Sequence, residues 1–404
     1  MSTFCGKLNE TQLDFIGIDR FTCELFDCSV YFLSHAHSDH MIGIQSPEFQ
    51  ENFNNSKNKV LYASPLTITF LKRDTLLNLD DHKLIPLTVG FSHNLQVKSK
   101  HYENICVTLL PARHCPGSVM ILIEVDTHRI LYTGDFRVQL EGFKNFKPIL
   151  ANNNERCVAK RITSLYLDTT FASEMYFEFP TRNDSCTILI NAIKEWLQKD
   201  EENKIVLFMP AYIGVEFAVI EVAKYFKEPI HVHKIKFEKL YGLIPELSQY
   251  VTPEAKNFKI HACTRNENSK DGTNCCLSKN QNNIKYIQLS ALAFTSDVIK
   301  KNGYVFVNKD CTRVCYSSHA SCKELREIVK FLSPEKLFFN VIKKQSKQEI
   351  FDVLTTYCKK SNDPIDDETL HTTLKLPDNW KWASDSNSSV ESNKRMRFES
   401  PDRD

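Results

Sequence analysis

Ser34-His35-Ala36-His37-Ser38-Asp39-His40 puts four potential metal ligands into six residues. The stretch follows Val30-Tyr31-Phe32-Leu33, an apolar run that reads as a short buried strand. His35 and His37 can point to one cation, and Asp39 and His40 to a second. Imidazole and carboxylate together suit Zn²⁺ and its neighbours. Desolvating so many polar groups at a strand end is costly without a partner, which disfavours a merely solvated loop.

The same arrangement recurs along the chain. Ile16-Gly17-Ile18 is a strand that ends in Asp19. The β-rich run Ile105–Leu110 leads into the turn-rich loop Pro111–Ser118, with His114 at its centre. Gly117 in that loop would let the backbone approach a ligand or metal closely. Arg129–Thr133 reads as a strand ending in Gly134-Asp135, and Leu165–Leu167 as another ending in Asp168-Thr169-Thr170. Asp135 can bridge two cations, because a carboxylate has two oxygens with spare lone pairs. Ligands at the ends of short apolar strands are gathered into one site when the strand ends share a rim.

The chain of 404 residues is long enough for two ordinary domains. Hydrophobic residues at 42% and charged residues at 25% describe a globular protein. No apolar stretch reaches the length of a membrane helix, and Met1–Lys7 lacks the pattern of a signal peptide. Fourteen scattered cysteines are expected as reduced thiols of a cytosolic or nuclear protein, a few of them serving a metal. The net charge of +1 neither favours nor excludes nucleic acid, since a groove can concentrate positive charge that the average hides.

Asp19, His35-x-His37-x-Asp39-His40, His114 and Asp135 follow, in order, the ligand motifs of the metallo-β-lactamase fold. Asp168-Thr169-Thr170, Ile260-His261-Ala262-Cys263 and Ser317-Ser318-His319-Ala320-Ser321 resemble the additional motifs of its β-CASP nuclease branch. Within that branch the chain is similar to the DNA cross-link repair nucleases. Ile18–Phe21, Tyr31–His35, His114–Met120, Leu131–Arg137 and Tyr166–Phe171 carry the likeness. The resemblance implies an α/β fold: a metallo-β-lactamase αββα sandwich with an inserted β-CASP α/β domain. Residues 1–170 would be the first part of the sandwich, 171–304 the insert, 305–360 the return and 361–404 a disordered tail. It implies a metal-dependent DNA nuclease acting on ends, overhangs or hairpins, as 5′-exonuclease or structure-specific endonuclease. The setting would be nuclear double-strand break or cross-link repair, with a monomeric protein and end-joining partners such as a DNA-dependent protein kinase.

On this reading His35, His37, His114 and Asp135 hold a first zinc. Asp39, His40 and Asp135 hold a second divalent metal, Zn, Mg or Mn. Water or hydroxide on the metals would be the nucleophile. Asp19 and Asp168 would orient metal-bound histidines, and His319 would stabilise the phosphate or protonate the leaving oxygen. Relatives often carry lysines where this chain has Ser38 and Ile42, and a basic residue where it has Pro210. Each missing phosphate contact lowers the electrostatic part of DNA affinity.

From 171 to 304 helix and strand patterns alternate, so a small parallel sheet is expected. Asp184 is a candidate N-cap for a helix with Ile188, Ala192, Ile193 and Trp196 on its apolar face. Val215–Phe226 reads as a further helix. His231, His261 and Cys263 with Cys275 or Cys276 form a two-His, two-Cys set suited to a closed structural zinc site. If His261 serves that zinc it cannot also be the catalytic acid, and the zinc role is preferred. Tyr304–Val307 and Val314–Tyr316 read as strands that rejoin the first domain, followed by a helix over Cys322–Leu332. The polar tail holds Trp380 and Trp382, a candidate docking motif, and Lys394-Arg395-Met396-Arg397, a short basic cluster. RNA cleavage, as in the 3′-end-processing relatives, is the alternative chemistry. A non-catalytic scaffold is disfavoured, because no ligand position has been lost.

Overall fold

Period-two alternation in the apolar strands builds the first layers. The computed structural model describes residues 2–151, 158–208, 213–254, 258–262, 283–308, 311–342 and 347–359. Ile16–Ile18 (β1), Val30–Leu33 (β2), Val60–Ala63 (β3) and Leu84–Pro86 (β4) form an all-parallel sheet in that order. Parallel strands covered on both faces read as unbroken apolar runs, as β2 does. Tyr31 and Leu33 point to one side, onto the helices Pro47–Asn55 and Pro65–Arg73 through Phe49, Phe53, Ile68 and Leu71. Val30 and Phe32 point to the other, onto the second sheet.

That second sheet contains Ser92–Gln96 (β5), Asn104–Pro111 (β6), Val119–Val125 (β7), His128–Tyr132 (β8) and Ser164–Leu167 (β9). Leu109, Ile121, Ile123 and Ile130 meet the first sheet, while Leu110, Met120, Leu122 and Leu131 face the opposite way. This outer face is covered by Cys322–Leu332 and Lys347–Lys359 through Leu325, Ile328, Val329, Ile350 and Leu354. Helix, sheet, sheet and helix therefore stack as an αββα sandwich. Truncating a fully buried side chain such as Leu131 to alanine costs about 2–5 kcal/mol.

The third sheet uses Lys204–Phe208 (β10), Ile230–His231 (β11), Val251–Thr252 (β12), Ile260–His261 (β13), Ile284–Ser290 (β14), Val305–Asn308 (β15) and Cys311–Cys315 (β16). Its order is β12-β11-β13-β10-β14-β16-β15, parallel throughout except for the β15–β16 pair. The helices Arg182–Leu197 and Glu216–Phe226 pack on it through Leu189, Ile193, Ala218, Val219 and Val222. The same core runs into the sandwich through Phe70, Leu66, Ala36 and Cys115. Lys336–Phe339 (β17) then adds to the second sheet beside β9, completing the order β17-β9-β8-β7-β6-β5.

Two local expectations are corrected and a third is extended. The strands at 305–308 and 311–315 do not rejoin the sandwich. They pair with β14 at the edge of the third sheet, so the chain returns only with the segment leading to β17. Their local pattern announces strands but not partners. Second, Thr181 rather than Asp184 caps the helix Arg182–Leu197, its hydroxyl accepting the Asp184 N–H. The helix begins one turn earlier than expected, and the most deeply buried face comprises Ser185, Cys186, Leu189 and Ile193. Third, Gly117 makes a close approach that the pattern did not show, to the start of the Pro65–Arg73 helix, while it also lines the cleft beside His114. Its carbonyl accepts from Ser64 and Thr67, and a Cβ there would lie 2.9 Å from Thr67 Oγ1. Cys263, Cys275, Cys276, Pro210 and the tail with Trp380, Trp382 and Lys394–Arg397 lie outside the described residues.

Candidate metal centre

Sheet topology brings the strand-end ligands to one rim. In the second sheet β6 is antiparallel to β7 and β7 to β8, so β6 and β8 run the same way, as does β9. His114, Asp135 and Asp168 therefore leave the sheet at the same edge. The parallel strands β1 and β2 deliver Asp19 and the 35–40 loop to it from the first sheet. A backbone bond of 2.9 Å from Val119 N–H to Ser34 C=O ties the two layers there. Gly134 permits this approach: a Cβ on it would lie 2.7 Å from Ser34 Oγ.

His35 Nε2 and His114 Nε2 each lie 3.1 Å from His37 Nδ1. Asp135 Oδ2 lies 3.8 Å from His35 Nε2 and 3.7 Å from His114 Nε2. The ligand atoms of these four residues all fall within 4.8 Å of one another. Imidazole nitrogens crowd to this distance when they share a cation, and this donor set suits zinc. His40 Nε2 lies 3.3 Å from the other carboxylate oxygen, Asp135 Oδ1, yet is buried without a hydrogen-bond partner. A second cation would satisfy that nitrogen.

Each histidine is oriented by what its other nitrogen touches, which fixes the tautomer. His35 Nδ1 donates to Ser34 Oγ at 3.0 Å, and Ser34 Oγ in turn donates to Asp19 at 2.5 Å. His40 Nδ1 donates to Asp19 Oδ2 at 2.8 Å. His37 Nε2 donates to the Ile213 carbonyl at 3.0 Å, and His114 Nδ1 to the Ser318 carbonyl at 3.1 Å. Asp19 also accepts from Ser34 N–H and Tyr132 Oη, at 2.6 and 2.9 Å. It is thus a buried hub that touches His40 directly and His35 through Ser34.

Electrostatics follow from this burial. Desolvation pushes the imidazoles of His35, His37 and His114 below their usual range, so they present lone pairs at neutral pH. For His40 desolvation works the same way, but Asp135 and Asp19 outweigh it and raise that imidazole. Burial opposes ionisation of Asp135, whereas His40 and His319 hold its carboxyl well below the usual carboxylate range.

Asp168 does not touch the histidines of the first cluster. It accepts from Thr170 N–H and Oγ1 at 2.9 and 2.6 Å and from His319 Nδ1 at 2.8 Å. His319 Nε2 is thereby turned toward Asp135 Oδ2, 4.0 Å away. The His319 segment is fixed from below by a capping box: Ser321 and Glu324 exchange side-chain and backbone bonds. Arg137 pairs with Glu324 and donates to the Ser317 carbonyl at 3.1 Å.

Asp39 is the expected ligand that joins none of these groups. Its Oδ2 accepts the Ser2 N–H at 3.1 Å, so coordination would exchange that amide for a cation. In the third sheet His231 and His261 are buried neighbours with Nδ1 atoms 3.1 Å apart, and His261 Nε2 donates to the Phe258 carbonyl at 3.0 Å. The described cysteines are free thiols.

A cleft of about 840 Å³ opens beside His114, lined by Arg113, Arg182, Asn183, Phe217 and Tyr316 among others. Sequence reasoning missed these arginines. It also assigned no role to Ser34, although Ser34 stands directly before the first histidine, or to Tyr132, although Tyr132 lies within the Leu131–Arg137 stretch. The Ile213 and Ser318 carbonyls are backbone partners that residue types do not reveal.

Two families match parts of the chain: "Anti-Pycsar protein Apyc1" over residues 5–152 and "DNA repair metallo-beta-lactamase" over residues 245–345. Over 372 residues the chain is 29% identical to protein artemis of Homo sapiens, covering 89% of this chain and 52% of that protein. It is 29% identical over 308 residues to the 5′ exonuclease Apollo of Mus musculus, covering 76% and 49%. To the DNA cross-link repair 1A protein of Mus musculus it is 26% identical over 327 residues, covering 78% and 28%. The chain spans about half the length of the Artemis proteins it matches. No helix of the described residues is long and apolar enough to cross a membrane.

Proposed function

Because this chain belongs to the DNA repair metallo-β-lactamases as an Artemis-like member, we propose that it is a metal-dependent nuclease that hydrolyses phosphodiester bonds in DNA. The observation that carries the reading is the convergence of His35 Nε2, His37 Nδ1 and His114 Nε2 beside Asp135 Oδ2. These four residues would hold one zinc. His40 and Asp135 Oδ1, joined by Asp39 once it leaves Ser2, would hold a second divalent ion. The third sheet and its helices would be the β-CASP insert, carrying structural zinc on His231 and His261 with Cys263 and Cys275 or Cys276.

Bound divalent cations supply an acidified water and positive charge for the phosphoryl oxygens. The chain's own groups do the rest. Neutral His35, His37 and His114 are pre-aimed by Ser34, Ile213 and Ser318, so little reorganisation accompanies the reaction. Ionised Asp135 spans the two ligand sets through its two oxygens. Asp168 accepts the Nδ1–H of His319, so that in the imidazolium form the ring would give its Nε2 proton to the departing oxygen and be left neutral with its proton on Nδ1. Arg113 and Arg182 in the adjoining cleft would steady backbone phosphates, a task for which Ser38 and Ile42 have no charge. Family membership favours 5′-exonucleolytic or hairpin- and overhang-directed endonucleolytic action in nuclear end joining or cross-link repair.

The test is cleavage of matched 5′-labelled DNA and RNA, as single strands, overhangs and hairpins, by chelated protein with Zn²⁺, Mg²⁺ or Mn²⁺ restored. Metal-dependent cleavage of DNA, abolished by Asp135→Ala, is expected. Equal or better turnover of RNA would move the assignment to an RNA-processing enzyme, and full activity in Asp135→Ala would sink the metal site.

A further inference from the structure

The Ile213–Gly214 peptide group is held at both of its polar ends. Its carbonyl accepts the Nε2 proton of His37 at 3.0 Å. Its N–H donates to both carboxylate oxygens of Glu216, at 3.0 and 2.7 Å. A trans peptide points its C=O and N–H in opposite directions within one plane, so His37 and Glu216 sit at opposite edges of one rigid group. Glu216 is buried at 4% exposure and opens the helix Glu216–Phe226, whose N-cap residue, Val215, supplies no side-chain cap. Its side chain instead folds back over the turn that precedes the helix.

A carboxylate is an expensive group to bury unless its bonds are needed. Desolvation pushes the Glu216 carboxyl up, while its own backbone N–H, Lys236, the Gly214 N–H and Tyr241 pull against it. Lys236 is itself buried, its ammonium 4.4 Å from the centre of the Tyr241 ring. The helix alone does not require this cluster, since an ordinary Ser or Asp cap would serve it. The function of the cluster becomes clear at the other end of the peptide. His37 is the one cluster histidine whose orienting partner comes from the loop that opens this helix.

We propose that Glu216 is a positioning residue for the metal centre: it fixes the Ile213–Gly214 peptide plane, and that plane fixes the ring and tautomer of His37 so that Nδ1 faces the cation. In effect a carboxylate–histidine pair is formed with one peptide group inserted between its members. Hydrogen bonds in series polarise one another, so the carboxylate strengthens the Ile213 carbonyl as an acceptor. The inserted domain therefore completes the metal site rather than only covering it.

The inference rests on the metal reading above, and the experiment separates the two. Wild type, Glu216→Ala, Glu216→Gln and Val222→Ala are titrated with Co²⁺ and with Zn²⁺ against a chromophoric chelator. The absorption spectrum of the bound Co²⁺ is recorded for each. Val222 is fully buried in the same helix and has no polar side-chain atom to hydrogen-bond either end of the peptide, so its truncation controls for loss of packing. Partners that orient a metal-bound histidine are worth about 10–100-fold in affinity when removed, and Glu216→Ala should fall by at least the lower figure with an altered Co²⁺ spectrum. Glu216→Gln keeps one acceptor and the shape, so it should fold and lose a few-fold only. Val222→Ala should melt lower yet keep wild-type affinity. Wild-type affinity and spectrum in folded Glu216→Ala and Glu216→Gln would overturn the relay, as would an equal loss in Val222→Ala. A wild-type protein that binds neither ion would overturn the metal reading itself.

Discussion

Asp19→Asn is the most informative single change, because it removes a charge and one acceptor without changing shape. Asp19 has φ of +53°, a left-handed conformation that Asn tolerates about as well as Asp. Any loss therefore reflects hydrogen bonding rather than backbone strain, which Ala would add. Asp19 accepts four bonds: Ser34 N–H on Oδ1, and Ser34 Oγ, His40 Nδ1 and Tyr132 Oη on Oδ2. The best amide orientation keeps oxygen toward the three donors and sets its NH₂ against the Ser34 N–H. One buried donor is then unsatisfied at about 1–3 kcal/mol, and three charge-assisted bonds become neutral ones, together roughly 2–4 kcal/mol of stability once the relief of burying no charge is allowed for. His40 loses the anion that holds its Nδ1 proton, so its Nε2 lone pair is no longer guaranteed. Affinity at the position served by His40 should fall about 10–100-fold, while the first position, reached from Asp19 only through Ser34, should change less. Calorimetric titration of metal-free protein with Zn²⁺ gives both affinities, and denaturant melts give the stability. Tyr132→Phe removes one of the four donors and should leave affinity within a few-fold. Two unchanged binding steps in Asp19→Asn would refute the claim that this carboxylate orients the ligands.

Other expectations are separable from that one. His319→Ala should cut kcat by about 10²–10⁴-fold with metal content intact, because His319 Nε2 serves the leaving group rather than the cation cluster; a variant that instead loses metal would make His319 a ligand. Burial pushes the thiols of Cys28 and Cys322 up to about 11 and those of Cys186 and Cys315 up to about 12, from an ordinary 9.0. Their folded pKa values are raised, so this stability is complete below the unfolded value and lost as pH climbs through the folded ones. One unit above the unfolded pKa the loss is about 1.4 kcal/mol per thiol, and a denaturation midpoint that stays flat from neutral pH to that point would contradict it. Cys263→Ser should cost one equivalent of zinc and several degrees in melting temperature, as a structural zinc contributes to folding directly. Unchanged zinc content and melting would leave His231 and His261 as a hydrogen-bonded pair and nothing more.

The elements around the site were legible because local pattern and burial agree there. Val30–Leu33, Ile16–Ile18 and Leu165–Leu167 carry no charged side chain, run into Ser34, Asp19 and Asp168, and lie in strands within a residue of the expected limits. The helix Cys322–Leu332 starts and stops where its cap residues and apolar spacing place it. What the sequence could not settle was partnership. Cys311–Cys315 is a strand whichever sheet takes it, and its five-residue register with Tyr286–Ser290 is a tertiary fact. Thr181 and Asp184 are both good caps, three residues apart, and only the geometry of the preceding turn chooses between them. Asp39 is the same kind of case. Its spacing marks it as a ligand, and a contact with Ser2, distant in sequence, decides what it touches.

The orienting partners of the four clustered histidines show why motif reading reaches the ligands sooner than the machinery around them. His35 and His40 are set by Ser34 and Asp19, side chains whose residue types stand in the motif stretches, so a sequence can mark them. His37 and His114 are set by carbonyls of Ile213 and Ser318, which any residue could supply. Those two carbonyls come from segments 176 and 204 residues away from the imidazoles they hold. The Ile213 segment is placed by the third sheet and its flanking helices, and the Ser318 segment runs from β16 of that sheet into the capping box of the sandwich helix Cys322–Leu332, so part of the ligand orientation depends on that layer's folding. Excising it should therefore weaken metal binding even though every cluster ligand precedes it in the chain. Grafting Ser34, Asp19 and the histidines onto an uninserted sandwich would restore the ligands' identity but not the hydrogen bonds that aim two of them.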